Sequence, residues 1–392
     1  MSEHRSPLGI FLACFLVSLS VNAYIIAPAS IVPLLRDHFA ISTASVGVSI
    51  SAAVLGAVLV QLPGGFLMDR YDNRWLLVAA LCLYVPVAAV GTATDSYAVF
   101  LVSRAVAGLG AGGLFVVSTN VVADVFAGRR QGFLTTLLLA SAPVGYALSQ
   151  FGGPPLGAGV GWAAPFLVGP LLAALGLVVF VLSRPAPIRS GDRITVRQFR
   201  LALGNRAVLL VSAAGFCSYL LYIFLNAWMP SYAAARLPMT LPQAGAVSAL
   251  LPAMGVIARP AGGWLSDRLG SRRRAIVLAS LAMALPVFVV LSRAVPVVLF
   301  AGAMLWVGFA LQFGMGVYYV YVRELASPAT TGTSLTLFTA ISFLGTLSAP
   351  PLGGWLVETL SWGPTFAVHI GIGVVGLVLV LLAPRTAPTG RP

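Results

Sequence analysis

The chain contains no lysine; all 23 of its basic residues are arginines. Acidic residues number only ten in 392, and charged side chains make up 8% of the sequence against 59% hydrophobic. So few charges cannot solvate a globular surface of this size, which excludes an ordinary water-soluble domain and makes lipid the solvent for most of the exterior. Cys14, Cys82 and Cys217 lie singly in apolar stretches, excluding a disulfide framework or a thiolate metal site. No nucleotide-binding glycine loop, catalytic triad or cluster of metal-ligand spacing occurs, so an enzyme is not expected, nor any catalytic residue, cofactor or metal.

What is abundant is apolar length. A membrane-crossing helix needs about 20 predominantly apolar residues. Twelve such runs fall near 8–35, 43–68, 75–93, 97–124, 131–155, 161–183, 207–230, 243–266, 275–292, 296–322, 333–357 and 364–383, here numbered spans 1 to 12. Arg5 ahead of an apolar stretch and the small residues Ala27-Pro28-Ala29 imitate a secretory signal, but eleven further spans favour a retained first helix.

The net charge of +13 would suit a nucleic-acid partner if the arginines formed a patch. They do not. With the amino terminus inside, eighteen arginines fall on the cytoplasmic side and only Arg36, Arg236 and Arg293 outside. This is the positive-inside bias, and it predicts a multi-pass protein of the cytoplasmic membrane with both termini cytoplasmic. The bilayer, not nucleic acid, is the expected environment, and a monomer the expected unit. The two arginines left over, Arg104 and Arg259, lie inside spans.

The chain also repeats itself. Gly64-Gly65-Phe66-Leu67-Met68-Asp69-Arg70 returns 198 residues later as Gly262-Gly263-Trp264-Leu265-Ser266-Asp267-Arg268. Gly153-Pro154-Pro155-Leu156-Gly157 answers Ala349-Pro350-Pro351-Leu352-Gly353, and Asp124 and Gly132 answer Glu324 and Gly332. The expected architecture is all-α: two six-helix bundles, 1–183 and 207–392, joined by a polar cytoplasmic linker at 184–206 and related by an axis along the membrane normal. In the linker, Ile194, Phe199 and Leu203 among Arg193, Arg197 and Arg200 suit either a surface-lying helix or a solvated basic loop.

These landmarks resemble the major facilitator superfamily of transporters. The family's loop motif, Gly-x-x-x-Asp-Arg-x-Gly-Arg-Arg, is kept between spans 8 and 9 by Gly263, Asp267, Arg268, Gly270, Arg272 and Arg273. Between spans 2 and 3, Gly65, Asp69, Arg70 and Arg74 match, while Asp72 and Asn73 depart. The resemblance implies two halves rocking about a central site lined by spans 1, 4, 7 and 10. It makes Asp69 a latch on the cytoplasmic gate, with Asp267 its counterpart. A loop arginine would pair with the acid ending span 4, Asp124; since Asn73 carries no charge, Arg70 or Arg74 would have to substitute. Stop-transfer topology alone is the plainer alternative for these charges.

Arg104 and the glycines Gly108, Gly110, Gly112 and Gly113 resemble a span 4 element linked to proton coupling, although Arg104 is also placed to snorkel outward. Gly153-Pro154-x-x-Gly157-Ala158 resembles an antiporter element of span 5 and reads as a packing hinge.

Arg259 carries the most information. It lies about two turns inside the exit of span 8, and its repeat-mate is Gln61. All ten carboxylates fall in loops or at helix ends, so no acid is available in the bundle interior to pair with it. A buried cation without a buried anion implies that the substrate is the counter-ion; the alternative is an arginine held by helix carbonyls or by the Asp267 network. The segment also resembles the nitrate/nitrite porter branch, whose paired arginines on spans 2 and 8 hold the anion. Gln61 in place of the first favours a larger monovalent anion such as a short organic carboxylate. Further cavity candidates are Asn22 and Tyr24 (span 1), Asn120 (span 4), Gln150 (span 5), Tyr219, Tyr222 and Asn226 (span 7), Gln312, Tyr318 and Tyr319 (span 10), and Thr339 and Ser342 (span 11). His369 reads as a core histidine. The expected activity is alternating-access transport of a small solute, an anion, with protons or a counter-anion as the coupled species. The rivals are a proton-coupled drug or metabolite exporter using Asp124, and a membrane sensor that binds without transporting.

Overall fold

A computed structural model of the protein describes residues 6–126, 131–183, 187, 201–269, 273–293, 295–327 and 330–384. Every regular element among them is a helix, the form in which a chain in lipid satisfies its own backbone. Ten helices are long and apolar enough to cross a membrane. Spans 2 and 5 complete the twelve as broken helices, Thr43–Leu59 with Gln61–Arg70 and Gln131–Leu139 with Ser141–Gly159. Span 1, expected over 8–35, stops at Ser30; a separate short helix, Val32–Phe39, follows and is bent by 106° from Thr43–Leu59. Pro33 in the first turn of that short helix suits a fresh start there.

The chain divides into two compact units between Arg193 and Ile194. Most of the polar linker, 184–186 and 188–200, lies outside the described residues, and with it the choice between surface helix and loop.

Within the first unit, span 1 (Pro7–Ser30) packs on span 6 (Ala164–Leu182) and span 5, and span 4 (Tyr97–Val125) packs on spans 2 and 3 (Asn73–Thr92). The second unit repeats the same neighbour set six spans on. Span 7 (Arg206–Arg236) packs on span 11 (Thr331–Leu360) and span 12 (Trp362–Leu382), and span 10 (Val297–Leu325) on span 8 and span 9 (Arg273–Leu291). Duplication is therefore visible in the packing as well as in the sequence.

Close approach at one repeated contact depends on glycine. A Cβ on Gly108 would stand 2.9 Å from the Ala53 backbone, and one on Gly308 2.8 Å from Leu251 Cα, distances that real side chains do not adopt. Small faces of this kind let membrane helices pack without apolar driving force.

Arg104 anchors the first unit. It is fully buried, and it donates from Nε to the Ser49 carbonyl (3.1 Å), from Nη1 to that of Tyr24 (2.7 Å) and from Nη2 to that of Ile25 (2.8 Å). Its guanidinium lies 4.3 Å from the Tyr24 ring centroid and 5.5 Å from that of Phe166. Arg104 thus cross-braces spans 1, 2 and 4 instead of snorkelling. Tyr24, 1% exposed and edge-on to Tyr84 at 5.2 Å, belongs to this packed interior.

Arg104→Met would remove three buried hydrogen bonds, one of them to the Tyr24 carbonyl, whose helical donor is missing at Pro28, and should destabilise the protein by at least about 2 kcal/mol. Thermal unfolding in detergent should show a melting temperature several degrees below native; an unchanged value would contradict the brace.

Candidate functional site

The second unit gathers the polar groups expected around Arg259. Span 8 runs as one membrane-long helix, Leu241–Arg268, in three pieces, Leu241–Ser248, Leu250–Ala253 and Gly255–Arg268, joined through Ala249 and Met254, which keep right-handed helical dihedrals. Pro252 and Pro260 each remove a backbone donor, and Gly255 adds a flexible point, so the sequence supplies the causes of the joints. Arg259 sits at the fifth position of the last piece and is half-buried.

Its first partner is Gln312 on span 10. Arg259 Nε donates to Gln312 Oε1 at 3.2 Å. The Tyr222 hydroxyl, on span 7, faces both the Arg259 guanidinium and the Asn226 side chain, and Tyr219, one turn earlier, lies in the electrostatic field of Arg259 beside Tyr319. Asn226, fully buried, donates to the Tyr222 carbonyl at 2.8 Å. Tyr318 shares a 2.8 Å hydrogen bond with Ser218 and stacks on Phe338, while Tyr319 meets Phe338 edge-on at 5.1 Å. No carboxylate lies within ion-pair distance of Arg259 among the described residues. The arrangement is a cation in a tyrosine-rich setting, with hydroxyl and amide groups able to donate to an anion.

The candidates in the first unit are not brought together in the same way. Gln61 is half-buried, directly after the Val60 interruption of span 2. Asn120 Nδ2 contacts Met68 Sδ at 3.7 Å, and both line an open recess with Phe115, Val116, Thr119 and Ala123. Asn22 donates to the Ser18 carbonyl at 2.8 Å within span 1, and Gln150 is fully buried in span 5. In the second unit, Thr339 bonds back to Leu335, Ser342 is buried, and His369 is enclosed, with Nδ1 2.7 Å from the Thr365 carbonyl and its ring stacked on Phe224.

At the loop motif the halves differ. Arg273, buried at the start of span 9, pairs with Asp267 at 2.8 Å and with Glu324 at 3.1 Å, and also reaches the Ser266 hydroxyl. Arg268 stacks on Trp264, 4.9 Å from its ring centroid. Arg273 is thus the centre of a charge cluster joining spans 8, 9 and 10. Counting the repeat at an offset of 200 finds it from sequence, since Asn73 and Asp124 are the mates of Arg273 and Glu324. In the first unit Asn73 is buried with neither amide atom hydrogen-bonded, and Arg74 closes locally on Asp72 at 2.6 Å. Asp124 is exposed and joins no ion pair among the described residues. Gly65 and Asp69 fall in the helix Gln61–Arg70, but the Asp69 side chain, like all of Gly270 and Arg272, lies outside what is described. Gly263 has open space where a side chain would be.

A twelve-span helical protein built as two six-helix units is the architecture of a membrane transporter. The chain belongs to the Major Facilitator Superfamily, whose model matches residues 10–349. It is 29% identical over 363 residues to a protein of Mycobacterium tuberculosis (strain CDC 1551 / Oshkosh) named probable nitrate/nitrite transporter NarK2, covering 90% of this chain and 88% of that one. It is 25% identical over 389 residues to the cis,cis-muconate transport protein of Acinetobacter baylyi, covering 94% and 93%. Among solved structures, a mutant of the nucleoside transporter NupG matches with a TM-score of 0.80 at 13% identity, over 96% of this chain and 98% of that one, a likeness of fold alone. The protein is a multi-pass membrane transporter and not an enzyme.

Arg273→Ala removes the shared cation of Glu324, which is largely enclosed, and of Asp267, which is exposed, and should cost about 1–3 kcal/mol. Arg74→Ala breaks a partly exposed pair with a sequence neighbour and should cost less than about 1 kcal/mol. Comparing the melting temperatures of the two variants checks the asymmetry, and equal shifts would contradict it.

Proposed function

We propose that the protein is a secondary active transporter of small organic anions across the cytoplasmic membrane, with both termini cytoplasmic, working as a monomer by rocking of its two halves. The observation that carries this reading is Arg259, a half-buried cation with no carboxylate beside it among the described residues. In a low-dielectric setting such a charge is stabilised by an anion that arrives with the substrate. A guanidinium presents a planar fork matched to carboxylate or nitrate, and with Nε engaged by Gln312 its outer edge is the one suited to an anion. The relatives named for nitrate/nitrite and for cis,cis-muconate share negative charge and little else, in keeping with recognition of charge first.

Size discrimination follows from the surroundings. The nitrate/nitrite porter branch, by resemblance, uses two arginines; here Gln61 stands at the first position and supplies hydrogen bonds without charge. One guanidinium with Tyr219, Tyr222 and Asn226 suits a monocarboxylate whose body packs against aromatic rings. Asp69, by family resemblance, latches the cytoplasmic gate, and the Asp267–Arg273–Glu324 cluster ties the second half at its counterpart. With no acid beside Arg259 among the described residues, exchange for another anion or co-transport with a proton carried by the substrate fits better than export driven through Asp124.

Proteoliposome uptake of nitrate, acetate, benzoate and cis,cis-muconate tests the reading. At least one organic carboxylate should be taken up faster than nitrate. Arg259→Ala should cost about 2–5 kcal/mol of substrate binding, a loss of roughly thirtyfold or more, while Asp124→Asn should leave uptake unchanged. Native uptake by the Arg259 variant, or loss of uptake on removing the Asp124 charge, would refute it.

A further inference from the structure

The guanidinium of Arg259 is held by a side chain that simultaneously spans a joint in span 8. Gln312 is fully buried. Its Oε1 accepts from Arg259 Nε at 3.2 Å, and its Nε2 faces the carbonyls of Leu251 (3.3 Å) and Pro252 (3.2 Å). These carbonyls belong to Leu250–Ala253, the short piece between the two joints, whereas Arg259 belongs to the piece that begins at Gly255. The amide has one accepting end and one donating end, and only this orientation serves a cation on one side and carbonyls on the other. Room for it comes from Gly255, where a Cβ would stand 2.5 Å from Gln312 Cδ and 2.6 Å from Nε2.

The duplication shows that this is not ordinary helix packing. In the first unit the equivalent contact sets Gly112 of span 4 against the Ala57 backbone and the Val60 side chain of span 2, and a Cβ on Gly112 would stand 2.6 Å from the Ala57 carbonyl oxygen. Gln312 is the mate of Gly112 and Gly255 the mate of Ala57, at offsets of 200 and 198. The second unit keeps the neighbouring glycine contact, Gly308 on Leu251, which matches Gly108 on Ala53. Helix approach is therefore already secured one turn away, and an amide occupies the position that its mate leaves to glycine.

We propose that Gln312 is a positioning residue for the transported anion. It orients Arg259 against the Leu251 and Pro252 carbonyls of the preceding turns of span 8, so that the guanidinium presents its outer edge to substrate. Gly255 is the complementary residue that gives the amide its seat. This rests on the reading of Arg259 as the anion's counter-charge. A rigid, pre-oriented fork binds more tightly than a free one because its ordering cost is already met before the anion arrives.

The test is equilibrium binding of benzoate, cis,cis-muconate and nitrate to the purified full-length protein, with melting temperature measured alongside. Gln312→Met keeps size and removes the hydrogen bonds; it should weaken binding at least about tenfold, the worth of one bond to a charged group. Gln312→Glu places an internal carboxylate against Arg259 and should weaken it further. Gly255→Ala, whose added Cβ would push the Gln312 amide from its seat, should reproduce the methionine result. The positioning role is read from the double variant: in an Arg259→Ala background, Gln312→Met should have no further effect on the remaining affinity. An additional loss of about tenfold there would mean that Gln312 acts on its own, overturning the inference. Native affinity in both Gln312 variants, with affinity lost in Arg259→Ala, would also overturn it while leaving the anion site intact. If Arg259→Ala binds as the native protein does, or the native protein binds none of the three anions, the reading beneath it fails. If the methionine variant does not fold, Gln312→Glu and Gly255→Ala decide on the same terms.

Discussion

A charge inside a bilayer must find its partners in the protein, and this chain places only two arginines within its spans. Arg104 is satisfied completely: three carbonyls from two neighbouring spans take its donors, and two aromatic faces cover it. The result is a fixed cation with a structural task. Arg259 is treated differently. One nitrogen is engaged by a neutral amide, tyrosines lie beside it, and no carboxylate approaches among the described residues. The same cost of charge in lipid thus gives rigidity in one half and a proposed place for substrate in the other.

Duplication makes the contrast interpretable. Corresponding spans pack in corresponding pairs, so a difference at matched positions stands out against a common frame. Three such differences concern polar function: Gln61 against Arg259, Gly112 against Gln312, and Asn73 against Arg273. Each gives the second half the residue with the greater charge or hydrogen-bonding capacity. The proposed anion site and the Arg273 salt-bridge cluster both lie there, while the first half contributes the Arg104 brace and an uncharged mate for Arg259.

Much of the fold was legible because apolar length and arginine bias are governed by the bilayer itself. The twelve runs needed no tertiary information, and the repeat of Gly64–Arg70 as Gly262–Arg268 announced two units. The joints in spans 2, 5 and 8 were legible in part: Val60, Ala140 and Ala249 each lie three residues before a proline, Pro63, Pro143 and Pro252, that removes a helix hydrogen bond, whereas Met254 carries no such signal. The residues of the proposed site were legible in type and less so in their contacts. Arg259 stood out by being a charge among apolar residues, and Gln312 was a candidate by its span. That Gln312 would reach Arg259 required the packing of span 10 on span 8 and the space left by Gly255. Tyr24 misled because a tyrosine on span 1 can face a cavity or a core equally well; its place was decided by Arg104, 80 residues away.

The most direct test of the central claim, that the substrate's charge completes Arg259, is calorimetric binding of benzoate set against benzamide, which has nearly the same shape and no charge. The account predicts that the native protein binds the carboxylate and not the amide, and that Arg259→Gln abolishes the difference. Equal binding of the two compounds by the native protein, or a preference for the carboxylate that survives the substitution, would contradict it.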